Sequence, residues 1–274
     1  MAIVQANGVN LYYEESGAGE ENIVFSHGFL MNHAMFQAQI EALAPHFHCI
    51  AYDHRGHGRS ETTQSGYEID NLTADAAAII EALGVAPCHF VGMSTGGFVG
   101  LRLAIRQPDL LRSLTLIDTS ADAETPGQVR QYDMLATVVR YFGWRLVLGK
   151  ALSALFSPHF INNPQRQDEV NKWKQVIMGH DKKGVAAFAR GIFHRDSVVN
   201  QLDKIHTPTV VIGGEEDVAT PPEKMKQIVA GIPGTVLNLI PDAGHSTVVE
   251  KPDAVTAVMH NFYTQIGAIP EDSL

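Results

Sequence analysis

A serine sits at the centre of Gly92-Met93-Ser94-Thr95-Gly96, between the apolar run Cys88-His89-Phe90-Val91 and a helical pattern that begins at Phe98. A serine hydroxyl is a weak nucleophile until an imidazole accepts its proton and a carboxylate orients that imidazole. Strand, sharp turn and helix with serine at the apex form a nucleophile elbow, where the residues two before and two after must be small. Gly92 and Gly96 meet that need, and Gly97 lets the helix approach the sheet. A glycine-rich turn without chemistry has the same pentapeptide, so the partners decide. Asp217 follows Val210-Val211-Ile212 through Gly213-Gly214-Glu215-Glu216, and His245 follows Val236-Leu237-Asn238-Leu239-Ile240 through Pro241-Asp242-Ala243-Gly244. Both therefore belong to loops at strand carboxyl ends, on the same edge as Ser94. Glu215, Glu216 and Asp118 compete with Asp217 for the role of acid, Asp118 because it closes the preceding sheet strand.

Attack on a carbonyl creates an oxyanion that backbone N–H groups must hold. Thr95, next to the nucleophile, supplies one donor. The loop Ser26-His27-Gly28-Phe29 supplies the other, from Phe29, and His27 reads as a residue that holds this loop through backbone hydrogen bonds.

These residues need a sheet edge to stand on. Residues 9–14 alternate after an Asn-Gly turn, as in an amino-terminal hairpin. Short apolar runs at 23–26, 47–52, 88–93, 113–117, 209–212 and 235–240 then alternate with helical patterns at 34–44, 72–83, 95–106, 222–230 and 254–265. Thr73 and Asp75 are expected in the first turn of helix 72–83, which Gly84 ends. Such runs predict an α/β fold with a mostly parallel sheet covered on both faces. The rhythm stops between about 121 and 200, where 129–152, 169–178 and 184–193 read as helices with no strand between them. We expect a core of residues 1–120 and 201–274, and a helical cap, 121–200, over the carboxyl edge where such sheets bind ligands.

The chain has 274 residues, 45% of them hydrophobic, and a formal net charge of −10. That charge argues against nucleic acid or an anionic membrane as partner. No apolar run approaches the roughly 20 residues of a membrane span. No signal-like amino terminus is seen, and Cys49 and Cys88 fall inside predicted strands, so a cytoplasmic location is expected. His46-Phe47-His48 lacks the residues that would complete a metal set, and no phosphate-binding fingerprint follows a strand, so no cofactor and no metal are expected. Nothing in the pattern specifies an oligomer.

On Ser26-His27-Gly28-Phe29, the run Asp53-His54-Arg55-Gly56-His57-Gly58-Arg59-Ser60, Gly92 to Gly97, Gly214-Glu215-Glu216-Asp217 and Gly244-His245-Ser246, the chain resembles the α/β-hydrolase superfamily. The likeness covers almost the whole chain, in the subgroup of small esterases, perhydrolases and lactonases. It implies an eight-stranded sheet with an inserted helical cap. It also implies hydrolysis of a small-molecule ester or lactone through an acyl-enzyme, with Ser94 as nucleophile, His245 as base and Asp217 as acid. Asp53 to Ser60 reads as architecture. Thr95 stands where many relatives carry Met or Gln, so its hydroxyl is placed to meet substrate. A serine at the elbow excludes epoxide hydrolases and haloalkane dehalogenases, which need a carboxylate there. The resemblance points toward enol-lactone and N-acyl-homoserine lactone hydrolases. Two alternatives are a ligand-binding, receptor-like member with little turnover and an esterase with perhydrolase side activity. Among the cap aromatics Tyr141, Phe142, Trp144, Phe156, Trp173, Phe188 and Phe193, the expected substrate contacts are Trp144, Phe188 and Phe193. Lys150, Arg190 and Arg195 are candidates to recognise a substrate carboxylate.

Overall fold

A computed structural model describes residues 2–270. The chain opens with a hairpin, β1 (Ala2–Ala6) and β2 (Val9–Ser16), joined at Asn7-Gly8. Both turn residues have positive φ, 48° and 72°, the conformation that follows the twist of an antiparallel pair. Strands β3 (Glu21–Ser26), β4 (Phe47–Tyr52), β5 (Cys88–Met93), β6 (Leu111–Ile117), β7 (Thr209–Gly214) and β8 (Val236–Ile240) complete one eight-stranded sheet. Its order is β1-β2-β4-β3-β5-β6-β7-β8. β2 runs antiparallel to both neighbours, and every adjacent pair from β4 to β8 is parallel. Every residue of β5 and β7 is buried, which is why both read as unbroken apolar runs.

Helices α1 (Gln37–Leu43), α2 (Ile69–Ala82) and α3 (Thr95–Arg106) follow successive early strands. Between β6 and β7 lie α4 (Pro126–Phe142), α5 (Leu148–Leu155), α6 (Pro158–Ile161), α7 (Gln167–Gly179) and α8 (Lys182–Phe193). After β7 come α9 (Pro222–Gly231), α10 (Thr247–Glu250) and α11 (Pro252–Gln265). Leu43 of α1 and Val255, Met259 and Tyr263 of α11 pack into the core on one side of the sheet. Leu72 and Ile80 of α2, Val99 and Leu103 of α3, and Met225 and Ile228 of α9 fill the other. Among the described residues, no helix is long and apolar enough to cross a membrane.

Of the helix boundaries that differ from expectation, two have a visible cause. α2 begins at Ile69, so Thr73 and Asp75 lie inside it: the Thr73 hydroxyl donates to the Ile69 carbonyl at 2.8 Å, and Asp75 pairs with Arg55. The helix expected over 129–152 is two helices. α4 starts at a capping box between Thr125 and Gln128 and stops at Gly143, whose φ of 78° no helix accommodates. The chain resumes helical structure one short turn later, in α5.

The sheet's topology prepares a crevice. β3 sends its chain to β4 on one side, while β5 sends its chain to β6 on the other, so the loops after β3 and β5 part above adjacent carboxyl ends. In register, Ser26 pairs with Gly92, Met93 with Ile117, Ile117 with Ile212, and Gly214 with Ile240. The loops carrying Phe29, Ser94, Asp118, Asp217 and His245 therefore emerge on one rim.

Candidate active site

Ser94 caps α3 with φ 51° and ψ −110°, a conformation costly for a side chain with a Cβ. Two bonds hold it there: its N–H donates to the Ile117 carbonyl at 2.8 Å, and its carbonyl accepts the Thr119 hydroxyl at 2.8 Å. The glycines are sterically required. A Cβ on Gly92 would stand 2.2 Å from the Gly96 carbonyl oxygen, and one on Gly96 1.9 Å from that of Ser26.

The Ser94 hydroxyl meets His245 Nε2 at 2.9 Å, and His245 Nδ1 meets Asp217 Oδ2 at 2.9 Å. All three side chains are buried. Asp217 is fixed by its own loop: Oδ1 accepts the N–H groups of Ala219 (2.8 Å) and Thr220 (2.9 Å), and Oδ2 accepts the Thr220 hydroxyl (2.7 Å). Burial lowers the pKa of His245, but the facing Asp217 carboxylate, helped by Asp118 and Glu250, offsets this and raises it above the ordinary histidine value. An Nδ1–H held by a carboxylate leaves Nε2 free to take the serine proton.

The competing acid has other partners. Asp118 Oδ1 accepts the Gly214 N–H at 2.9 Å, while Oδ2 takes the Thr247 N–H at 3.1 Å and the Thr247 hydroxyl at 2.6 Å. It therefore braces the Asp217 loop against the segment after His245. Burial, then the charge of Asp217, push its pKa up to about 8. Glu216 lies at the surface, 3.3 Å from His159. His159, Glu216 and Asp242 have ligand atoms within 4.8 Å of one another, but this cluster is outside the cavity and Asp242 also faces Lys251 at 3.8 Å.

Phe29 and Thr95 line the same cavity as Ser94 and His245. Thr95 opens α3, so its N–H has no carbonyl four residues back to receive it. The Phe29 loop is locked by histidines. His27 Nδ1–H donates to the Gly28 carbonyl at 2.8 Å, and its Nε2 accepts the His54 N–H at 3.0 Å. Burial drops the His27 pKa to about 4, so the ring stays neutral as that pattern requires.

The cavity measures about 160 Å³ and lies between the rim and helices α4, α5 and α8. Its wall is mostly aliphatic and aromatic, with Leu135, Val139, Trp144, Leu155, Ile192 and Phe193 among the lining residues. Trp144 and Phe193 line this cavity, but Phe188 does not. Phe188 is fully buried, stacked on Phe29 at 5.7 Å and against His57 at 4.3 Å, so it supports the Phe29 ring from behind. The three candidate cations also separate. Lys150 is an exposed wall residue, Arg190 lies outside the wall beside Asp133, and Arg195 is buried against Glu124.

A family model described as alpha/beta hydrolase fold matches residues 21–252. The chain belongs to the α/β-hydrolase family. This α/β hydrolase is 30% identical over 262 residues to 3-oxoadipate enol-lactonase 2 of Acinetobacter baylyi, a match covering 94% of this chain and 96% of the relative. A solved esterase of Thermogutta terrifontis is 28% identical with a TM-score of 0.89, covering 97% of this chain and 98% of that one. The enol-lactonase of Burkholderia xenovorans LB400 is 27% identical with a TM-score of 0.90, covering 96% and 100%.

Three supports of the site in this α/β hydrolase escaped the sequence reading. Thr220 was visible as the third residue after Asp217, the spacing of a side chain that folds its loop onto itself. Glu250 accepts the N–H groups of Gly244 (3.2 Å) and Ser246 (3.4 Å) on one oxygen and that of Ser157 (3.1 Å) on the other, tying the His245 loop to the helical insertion. His180, between α7 and α8, donates from Nε2 to the Leu30 carbonyl at 3.0 Å. Neither Glu250 nor His180 lies in a motif that names its partner.

Proposed function

We propose that this α/β hydrolase cleaves carboxylic esters and lactones through an acyl-enzyme, and that residues 121–200 act as a cap that shapes the acyl pocket. Ser94 Oγ attacks the carbonyl as His245 Nε2 takes its proton. The N–H groups of Phe29 and Thr95 receive the oxyanion. His245 then returns the proton to the departing alkoxide, and a water deprotonated by the same nitrogen releases the acid. In a lactone the alcohol stays tethered to the acyl group, so the mouth of the pocket must let that arm swing clear before water arrives. The observation that carries this reading is the unbroken 2.9 Å and 2.9 Å relay from Ser94 through His245 to Asp217, at the floor of an apolar cavity.

The cavity favours a compact, uncharged acyl group. Its volume is close to the ~150 Å³ that accommodates a benzene ring, which also suits a chain of a few carbons. The enol-lactonase names among the relatives support extending the reading from esters to lactones. A second carboxylate, as on a 3-oxoadipate skeleton, finds little in the wall to meet it, because Arg195 already neutralises Glu124 and Lys150 is solvated. N-acyl-homoserine lactones, being neutral, suit the wall better.

The test compares wild type with Ser94→Ala on p-nitrophenyl esters from acetate to laurate and on a panel of lactones. Wild type should turn over short and medium esters, with kcat/KM highest for short to medium acyl chains. Ser94→Ala should lose about 10⁴-fold or more. Equal, negligible rates from both proteins, alongside intact binding of a small ligand, would instead establish the receptor-like alternative.

A further inference from the structure

One buried wall residue is out of character with the apolar part of the cavity. Glu124 lies just before α4, with its side chain 6% exposed, and it lines the cavity that holds Ser94 and His245. A buried carboxylate in an apolar wall is expensive unless paired. The partner is Arg195, just after α8, whose Nη2 donates to Glu124 Oε1 at 3.0 Å. Arg195 has further partners: its Nη1 donates to the Ile192 carbonyl at 3.1 Å, and its guanidinium lies over the Phe98 ring at 3.8 Å. Glu124 has no other hydrogen bond among the described residues, so its second oxygen, Oε2, is left without a donor. A carboxylate oxygen has lone pairs to fill, and filling them is worth more in an apolar pocket than in water.

Resting on the hydrolase reading above, we propose that Glu124 is a specificity-determining residue: it accepts a hydrogen bond from an uncharged N–H or O–H donor on the substrate, away from the scissile bond. The preferred substrates are then esters or lactones that carry an amide or a hydroxyl. The Glu124–Arg195 pair is neutral as a whole, so it gives a cationic substrate little to offset its desolvation. An anionic group would meet the one free carboxylate oxygen. A neutral donor satisfies that oxygen at no charge cost. Arg195 also fixes which oxygen is free. Because guanidinium only donates, whatever occupies position 124 must present an acceptor to it, which leaves its other terminal atom for a ligand.

That constraint makes Glu124→Gln diagnostic. The glutamine oxygen must face Arg195, so the NH2 group takes the place of the unbonded oxygen, and an acceptor site becomes a donor site of the same shape. The substrates are p-nitrophenyl 4-acetamidobutanoate and its N-methyl counterpart, which differ in the one donor. Wild type should favour the N–H ester by roughly tenfold in kcat/KM, the scale of a hydrogen bond to a charged group. Glu124→Gln should bring that ratio below one. The double variant Glu124→Leu/Arg195→Met, which removes both charges together, should bring it near one and guards against a misfolded single variant. A hydroxyl arm, p-nitrophenyl 5-hydroxypentanoate against its methyl ether, shows whether O–H serves as well as N–H. Binding separates this proposal from the catalytic one. Calorimetry on Ser94→Ala with N-propylbutanamide and its N-methyl derivative reads the donor preference without turnover. A roughly tenfold preference there stands even if no ester is hydrolysed. Equal kcat/KM for all pairs in wild type, with equal binding of the two amides, overturns the role of Glu124 and leaves hydrolysis intact. An unchanged ratio in Glu124→Gln overturns it as well.

Discussion

Asp217→Asn exchanges one oxygen for an NH2 group and keeps the shape, so its effect can be worked out from the bonds alone. Oδ1 of Asp217 faces two backbone N–H groups, at 2.8 and 2.9 Å, which cannot accept a hydrogen bond. The asparagine oxygen must therefore take that side. Its NH2 then occupies the place of Oδ2, 2.9 Å from His245 Nδ1. Because NH2 donates, Nδ1 must become the bare nitrogen, and the ring proton moves to Nε2. There it points at Ser94 Oγ, 2.9 Å away, and the serine has lost its base. The same tautomer trap in the serine-protease triad costs about 10⁴ in kcat, or about 5 kcal/mol of activation free energy. We expect a loss of that order in kcat for p-nitrophenyl butyrate, with KM within about threefold and an unfolding midpoint close to wild type.

Asp118→Asn is the control, because Asp118 is the other acid at a strand end. Its partners are Gly214 and Thr247, so asparagine loses at most one hydrogen bond, about 1–3 kcal/mol of stability. Activity should stay within about tenfold of wild type. The pH dependence of stability gives a second reading. The Asp118 pKa is raised in the fold from 3.8 to about 8, so the folded state binds the proton more tightly. The stability this contributes is full below the unfolded value and is lost as pH rises toward about 8. Asp118→Asn should flatten that decline in a urea titration run across the range. A 10⁴-fold loss in Asp118→Asn, with Asp217→Asn reduced less than tenfold, would refute the assignment of the acid.

Other expectations follow from the same geometry. Because the neighbouring acids, Asp217 foremost, raise the His245 pKa above 6.5 against burial and the base must be unprotonated, kcat/KM should climb with pH and level off only above 6.5; a profile flat from pH 5 to 8 removes His245 from the reaction. Gly96→Ala places a Cβ 1.9 Å from the Ser26 carbonyl, a backbone atom that cannot swing aside, and should cost roughly 3 kcal/mol in denaturant unfolding. His180→Ala removes the bond to the Leu30 carbonyl, beside the N–H proposed for Phe29 as oxyanion donor. As a positioning residue it should lower kcat roughly tenfold while leaving KM within about twofold, whereas a purely structural role would lower thermal stability without that split.

What could be read from the chain tracks how local the governing constraint is. The elbow is legible because its steric demands fall within five residues: Gly92 and Gly96 touch each other, so the motif states its own geometry. The order of the strands' carboxyl ends is nearly as legible, since parallel register brings every such loop to one rim. The choice between Asp118 and Asp217 is not written in spacing. Both close sheet strands, and the difference lies in what their oxygens face: for Asp118 the N–H of Gly214, 96 residues away, and Thr247, 129 away. The break at Gly143 was signalled by the glycine, but Gly149 offers the same signal and lies within α5. A glycine permits a left-handed turn without requiring one.

Substrate selection is the least legible layer, and the reason is topological. The cavity wall is assembled from both ends of a helical insertion, so Glu124 and Arg195 meet across 71 residues, and His180 reaches Leu30 across 150. Each looks, in sequence, like a solvated charge near a helix end. Amphipathic periodicity reports which face of a helix is buried but not what that face is buried against, so Phe188 and Phe193, on the same helix, read alike. One props the Phe29 ring from behind while the other lines the cavity beside Ser94. On the proposed mechanism, the sheet rim supplies the attack on a carbonyl. On the proposal above, the pairing of distant helix ends selects what is attached to that carbonyl, and the carboxylate oxygen of Glu124 left unbonded among the described residues is where the two layers can be separated by experiment.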